Sequence, residues 1–175
     1  APYSELSKPS PLNVYGKSKL VAEKLVRTAN IPSIIIRLIT MYGWPPEGAR
    51  QNPVTWALAK MKNGSQLQMV NDRFLNPLYA PSAAEAIWKL IGSGKKGIYH
   101  IAGKTRASRY DWTALIARVF GFNPNSIHPV ASSFFPTLAD RPIDTSYSTK
   151  KIQRDTDWKP LSLRSGLTRM KKAQP

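Results

Sequence analysis

Apolar residues recur along this chain with two periods, and the alternation between them orders the elements. In residues 13–29, NVYGKSKLVAEKLVRTA, the side chains of Val14, Val21 and Leu25 fall on one helical face, and Asn13 is placed to cap the first turn. The NIP triplet after it breaks the helix. Residues 33–39, SIIIRLI, form a short β-branched run, the pattern of a strand buried on both faces of a parallel sheet. A Gly- and Pro-rich loop, TMYGWPPEGARQNP, separates this strand from VTWALAKMK, a predicted helix closed by Asn63 and Gly64. LQMV then predicts a strand, and PSAAEAIWKLIG a helix with Pro81 in its first turn and Gly92 at its stop. GIYHIAG is the next strand, and SRYDWTALIARVFG a helix capped by Ser108 and ended by Gly121. Beyond Gly121 the pattern predicts irregular chain, then one weak helix near the C-terminus.

Helices and strands in alternation predict an α/β fold. Only residues 33–39 have the wholly apolar character of a central strand, and no G-x-G-x-x-G turn occurs, so the usual dinucleotide phosphate cradle is missing from the pattern. The chain therefore reads as the second part of a larger α/β unit. An exposed strand edge of this kind calls for a partner, and a homo-oligomer is expected.

Composition narrows the chemistry. With 175 residues and 42% hydrophobic positions, one sizeable core is expected. No apolar run reaches the roughly 18 residues of a membrane-spanning helix, and the opening APYSELSKPSP has neither region of a signal peptide, so a cytoplasmic location is expected. The absence of cysteine removes disulfides, thiolate metal sites and cysteine nucleophiles, and the two histidines give no basis for a metal centre. Charge is the unusual feature: 26 Lys and Arg against 10 Asp and Glu give +16, with +5 carried by residues 1–88 and +11 by residues 89–175. Such a field attracts phosphate groups, on a nucleotide or on a polyanion such as RNA. The helices do not interleave aromatic residues with these charges, so RNA is the less favoured partner.

Tyr15 and Lys19 stand out as candidate chemistry. Residues four apart on a helix lie about 5–6 Å from one another on one face. An ammonium beside a phenol favours its ionised form, which suits a phenol to proton transfer. His100, alternating on a strand with Tyr99 and Ile101, reads as structural.

Taken in order, NVYGKSKLVAEKLV, IIIRLITMYG, NDRFLNPLYAPSAAEAI, GIYHIAG, SRYDWTALIARVFG and DRPIDTSYSTKKI resemble the C-terminal part of extended short-chain dehydrogenase/reductases, closest to the dTDP-4-dehydrorhamnose reductase group. The resemblance implies an α/β fold forming the C-terminal portion of an NAD(P)-binding Rossmann-type enzyme with its substrate-binding region. Residues 1–48 would be the remnant of the Rossmann domain, carrying the Tyr-x-x-x-Lys helix and the following strand. Residues 49–175 would be the substrate-binding region, treated as one compact unit. It further implies an NAD(P)-dependent reductase of 4-keto nucleotide sugars, acting in dTDP-rhamnose biosynthesis, with Tyr15 as proton donor. Lys19 would assist Tyr15 and hold the nicotinamide ribose. Backbone groups around Ile39, Thr40 and Met41 would border NADP or NAD, and Arg73, Asn76 and Arg141 the nucleotide-sugar substrate, with no metal.

The family's phosphate loop and catalytic Ser or Thr belong to a half that would precede Ala1. The chain alone is thus expected to bind a dinucleotide poorly and to be inactive until that half, or another chain, completes it. The alternative is a non-catalytic module derived from the same fold, a regulatory subunit or a binder of RNA or another polyanion.

Overall fold

The computed structural model describes residues 1–135 and 139–175. Its first helix, α1 (Val14–Thr28), begins where Asn13 accepts a hydrogen bond from the Gly16 amide at 2.9 Å. A side chain at Gly16 would put its Cβ 2.9 Å from that of Pro11, so the turn into the helix needs glycine. Asn30, at φ 51°, turns the chain out of α1.

Strand β1 (Ile34–Leu38) runs parallel to β6 (Gly97–Ile101), in the register Ile34 opposite Gly97 and Leu38 opposite Ile101. Between them in sequence lie β2 (Met41–Tyr42), α2 (Pro53–Lys62), β3 (Leu67–Val70), β4 (Phe74–Leu75), β5 (Leu78–Tyr79) and α3 (Ala80–Gly92). After β6 come β7 (Ala107–Ser108), α4 (Arg109–Phe120), β8 (Ile127–Val130), α5 (Lys150–Asp155) and α6 (Leu163–Lys172). The remaining pairs are β2 with β5 and β3 with β8, both parallel, and β4 with β7, antiparallel. The stretches 1–48 and 49–175 thus share the β1–β6 pair.

The caps follow the local sequence. Asn52 at α2 and Ser108 at α4 each form a reciprocal capping box, with Thr55 and Asp111 respectively. Gly121 closes α4 in the left-handed conformation at φ 87°. Where α2, α4 and α6 meet the short strands, the core includes the fully buried Trp112, Trp158, Leu167 and Met170, and each such side chain contributes about 1.5–3 kcal/mol by leaving water.

Three expectations need correcting. The strand expected to be buried on both faces is half-buried throughout Ile34–Arg37, because among the described residues only β6 flanks it. Among the described residues the apolar face of α1 covers nothing: Val14 is 81% and Leu25 65% exposed, and the helix buries no residue. The segment expected to be irregular after Gly121 contains β8, and the last helix is two, α5 and α6, divided by a turn that buries Trp158. Pro129 inside β8 removes a backbone donor, which is why the stretch does not read as a strand.

Candidate functional site

Tyr15 sits in the first turn of α1, 72% exposed, and the Lys19 ammonium lies 5.4 Å from its ring centroid. Helical geometry alone sets this pair, since both side chains project from one face. The phenol faces a cleft of about 1050 Å³ whose walls include Thr40, Arg73, Arg109, Asp140 and Arg141. Asn13 joins two of those walls. Its Oδ1 caps α1 while its Nδ2 donates to the Asp140 carbonyl at 2.9 Å. Arg73 donates to the Arg141 carbonyl, drawing the 139–142 segment over the cleft.

The cleft is positively charged. Among the described residues, no carboxylate forms an ion pair with Arg73, Arg109 or Arg141. Arg109, first residue of α4, is held below the ordinary guanidinium range by burial and by the neighbouring Arg141 charge. Its guanidinium also stands 5.1 Å over the Trp112 ring. A second cavity of about 690 Å³ adjoins the cleft through Val70, Arg109 and Phe135, and is walled by Arg50, Trp56, Met69 and Trp112. The buried Trp112 indole N–H has no hydrogen-bond partner among the described residues. Fixed cations at the junction of an open cleft and an aromatic cavity suit a ligand with a diphosphate and a planar ring.

Of the residues expected at a site, Tyr15, Thr40, Arg73 and Arg141 line this one cleft, and Lys19 stands behind Tyr15. The other three lie elsewhere. Ile39 is buried in the core, and Met41 opens β2 on the exposed side. Asn76 is buried and engaged by backbone: its Nδ2 donates to the carbonyls of Gly103 and Tyr147, each at 2.9 Å, and its Oδ1 accepts from the Tyr147 amide at 3.0 Å. Every end of that amide is satisfied inside the chain, so Asn76 holds three segments together instead of facing the cleft. The Thr40 carbonyl accepts from the Leu78 amide at 3.1 Å, which ties this edge of the cleft to β5.

Sequence reasoning missed Arg109. One signal could have found it: an arginine at the first position of a helix opposes the helix dipole, a local conflict that asks for another reason. Among the described residues, no group of His, Asp and Glu is arranged to hold a metal ion.

Parallel strands joined through helices, with a Tyr-x-x-x-Lys helix opening onto a cationic cleft, define an extended short-chain dehydrogenase/reductase unit. A family model described as the RmlD substrate binding domain matches residues 1–174, and the chain belongs to that family. It is 32% identical over 166 residues to dTDP-4-dehydrorhamnose reductase of Salmonella typhimurium, a match spanning 89% of this chain and 54% of that protein. It is 27% identical over 161 residues to methionine adenosyltransferase 2 subunit beta of Rattus norvegicus, covering 87% of this chain and 47% of that one. The fold also matches a crystal structure of dTDP-4-dehydrorhamnose reductase from Bacillus anthracis in complex with NADP, with a TM-score of 0.89 and 24% identity, over 98% of this chain and 59% of that one. The chain spans about half the length of the curated relatives it matches.

Proposed function

We propose that this chain supplies the proton donor and the substrate-binding cleft of an NAD(P)-dependent reductase of 4-keto nucleotide sugars, of the dTDP-4-dehydrorhamnose kind. The observation that carries this reading is the exposed Tyr15 phenol, backed by Lys19, on a cleft whose far walls hold Arg73, Arg109 and Arg141. The arginines bind the substrate diphosphate as forked donors, and the adjoining aromatic cavity takes the base. The diphosphate so anchored brings the sugar carbonyl to Tyr15, which gives its proton to the carbonyl oxygen. Lys19, 5.4 Å from the ring centroid, keeps positive charge beside Tyr15 as the proton leaves.

A reduced nicotinamide supplies the hydride when it is bound. The residues present fit only its nicotinamide and ribose end, at Tyr15, Lys19 and Thr40, because the chain has no glycine-rich turn for the pyrophosphate. Completion by a Rossmann half is therefore part of the proposal. In that completed enzyme, Tyr15→Phe keeps the ring and removes the proton, and turnover of a dTDP-4-keto sugar is expected to fall about 10² to 10⁴-fold. Unchanged turnover would remove Tyr15 from the chemistry. A second reading, a non-catalytic binding subunit, draws on the relative named as a subunit of a methionine adenosyltransferase. It requires that the completed protein bind a nucleotide sugar without turning it over.

A further inference from the structure

Helix α1 carries Tyr15 and Lys19 and, among the described residues, buries no side chain against the rest of this chain, so hydrophobic packing within the chain does not fix its place. Polar links do. Near its N-terminus, Asn13 bonds the Asp140 carbonyl. In its third turn Glu23, four residues beyond Lys19 and eight beyond Tyr15, meets Arg37 of β1 in a two-pronged pair: Nε to Oε1 at 2.7 Å and Nη2 to Oε2 at 2.6 Å. Both side chains are largely enclosed, at 17% and 19% exposed, so water screens the pair weakly.

The Arg37 guanidinium does not end there. Its Nη1 lies 3.2 Å from Nε2 of His100, which sits directly opposite on β6. His100 is buried, and its Nδ1 is 3.1 Å from the Tyr3 carbonyl. A guanidinium can only donate and a carbonyl can only accept, so the ring is neutral, with its proton on Nδ1 and its lone pair on Nε2 turned to Arg37. A second proton on the ring would turn that acceptor into a donor and set two cations against each other.

We propose that Glu23, Arg37 and His100 form a clamp that positions the Tyr15–Lys19 helix on the β1–β6 pair, and that protonation of His100 opens it. Calling it a positioning device rests on the role assigned above to Tyr15; the clamp itself rests on geometry alone. The charged and titratable groups facing His100 come from every neighbouring element. Glu5, whose Oε1 accepts from the His100 amide at 2.9 Å, belongs to the N-terminal segment; Glu23 belongs to α1, and Arg37 to β1. Tyr147 stacks on the ring at 4.2 Å. Burial, the largest influence, and Arg37 oppose the imidazolium, whereas Glu5, the Tyr3 carbonyl and Glu23 favour it, and the opposition prevails: His100 titrates below its ordinary value of 6.5. A folded-state value below the unfolded one means that the clamp is intact above about 6.5 and is lost as pH falls from there toward the folded value. Glu23, held below the usual carboxylate range by its bonds to Arg37, stays ionised at mildly acid pH and does not cause this transition.

Amide hydrogen exchange on the chain, read by mass spectrometry from pH 5 to 8 and corrected for intrinsic rates, tests the clamp without needing turnover. Helix α4 (Arg109–Phe120), anchored by buried Trp112 and Ile116, is the internal standard. In the wild type, α1 is expected to exchange on the order of tenfold faster at pH 5 than at pH 7.5, the scale of one charge-assisted hydrogen bond. Glu23→Gln should make α1 exchange fast at every pH. His100→Gln, which keeps an acceptor for Arg37 and cannot be charged, should leave α1 protected at pH 7.5 and abolish the acid step. If His100→Gln also opens α4, Arg37→Lys takes its place: a lysine cannot bond Glu23 in a fork while holding His100, so α1 should be fast throughout. Wild-type exchange of α1 in Glu23→Gln, or an acid step surviving in a folded His100→Gln or in Arg37→Lys, overturns the proposal. An inactive Tyr15→Phe enzyme is compatible with either result, so the clamp and the role of Tyr15 can fail separately.

Discussion

Gly103 is a position where one added methyl group should cost much of the fold's stability. It follows β6, and its backbone lies against residues 76 and 77: its N–H donates to the Asn76 carbonyl at 3.1 Å, and its carbonyl accepts from Asn76 Nδ2 at 2.9 Å. A Cβ there would stand 2.1 Å from the Pro77 carbonyl oxygen and 3.1 Å from its carbon. An ordinary carbon–oxygen contact is about 3.3 Å, so the two backbones must part by about 1 Å. Both hydrogen bonds then fail, at about 1 kcal/mol each, and the buried Asn76 amide loses a partner for a further 1–3 kcal/mol or so. The sum, about 3–5 kcal/mol, is a large part of the roughly 5–15 kcal/mol that holds an ordinary domain. Urea unfolding followed by tryptophan fluorescence, with Trp112 and Trp158 buried as reporters, measures it. At a slope of about 2 kcal/mol per molar, Gly103→Ala should lower the midpoint by about 2 M. The control is Gly48→Ala, at φ 75° with nothing within 4 Å of the new Cβ, where only about 1 kcal/mol of backbone strain is expected. A Gly103→Ala midpoint no lower than that of Gly48→Ala would refute the steric reasoning.

Leu167, fully buried in α6, should cost about 2–5 kcal/mol when changed to Ala, seen as a lower unfolding midpoint with an unchanged slope. Asp155 is held down at about 2 by the hydrogen bond from Arg154, and next by that from the Tyr99 hydroxyl. Its contribution to stability is present above about 3.8 and lost as pH falls from there toward 2. The difference in melting temperature between wild type and Asp155→Asn should therefore be constant near neutral pH and vanish across that window.

The longer elements were legible because their ends are written locally. Asn13, Ser108 and Gly121 each act within a few residues, and each marks the boundary where the structure has it. Periodicity was less informative about environment. The spacing of Val14, Val21 and Leu25 says which side chains share a face, but among the described residues nothing covers that face, and all three are exposed. The two-residue strands β2, β4, β5 and β7 are too short for any period to show, and they exist because their partners are brought to them from 30 or more residues away in sequence.

The site divides along the same line. The placing of Tyr15 against Lys19 is a helix property, readable from i and i+4, whereas the charge of the cleft depends on where the acids are not. Ten carboxylates serve a chain with 26 cations, and the fold commits most of them elsewhere. Glu23 binds Arg37, Asp144 binds Arg106, Asp155 binds Arg154, and Asp157 binds Lys89. Asp111 completes the cap of α4, while Asp72 stays at the cleft's edge, beside Arg73, and accepts from Ser132. Among the described residues, Asp140 is the one carboxylate lining the cleft, and it forms no ion pair with Arg73, Arg109 or Arg141. Apart from the Asp111 cap and the adjacent Arg154–Asp155 pair, no local pattern records that allocation, because the other pairings join parts of the chain 14 or more residues apart. The +16 of the sequence becomes a site only when folding leaves Arg73, Arg109 and Arg141 on one cleft with no ion-paired carboxylate among the described residues, so that an anion can neutralise their charge.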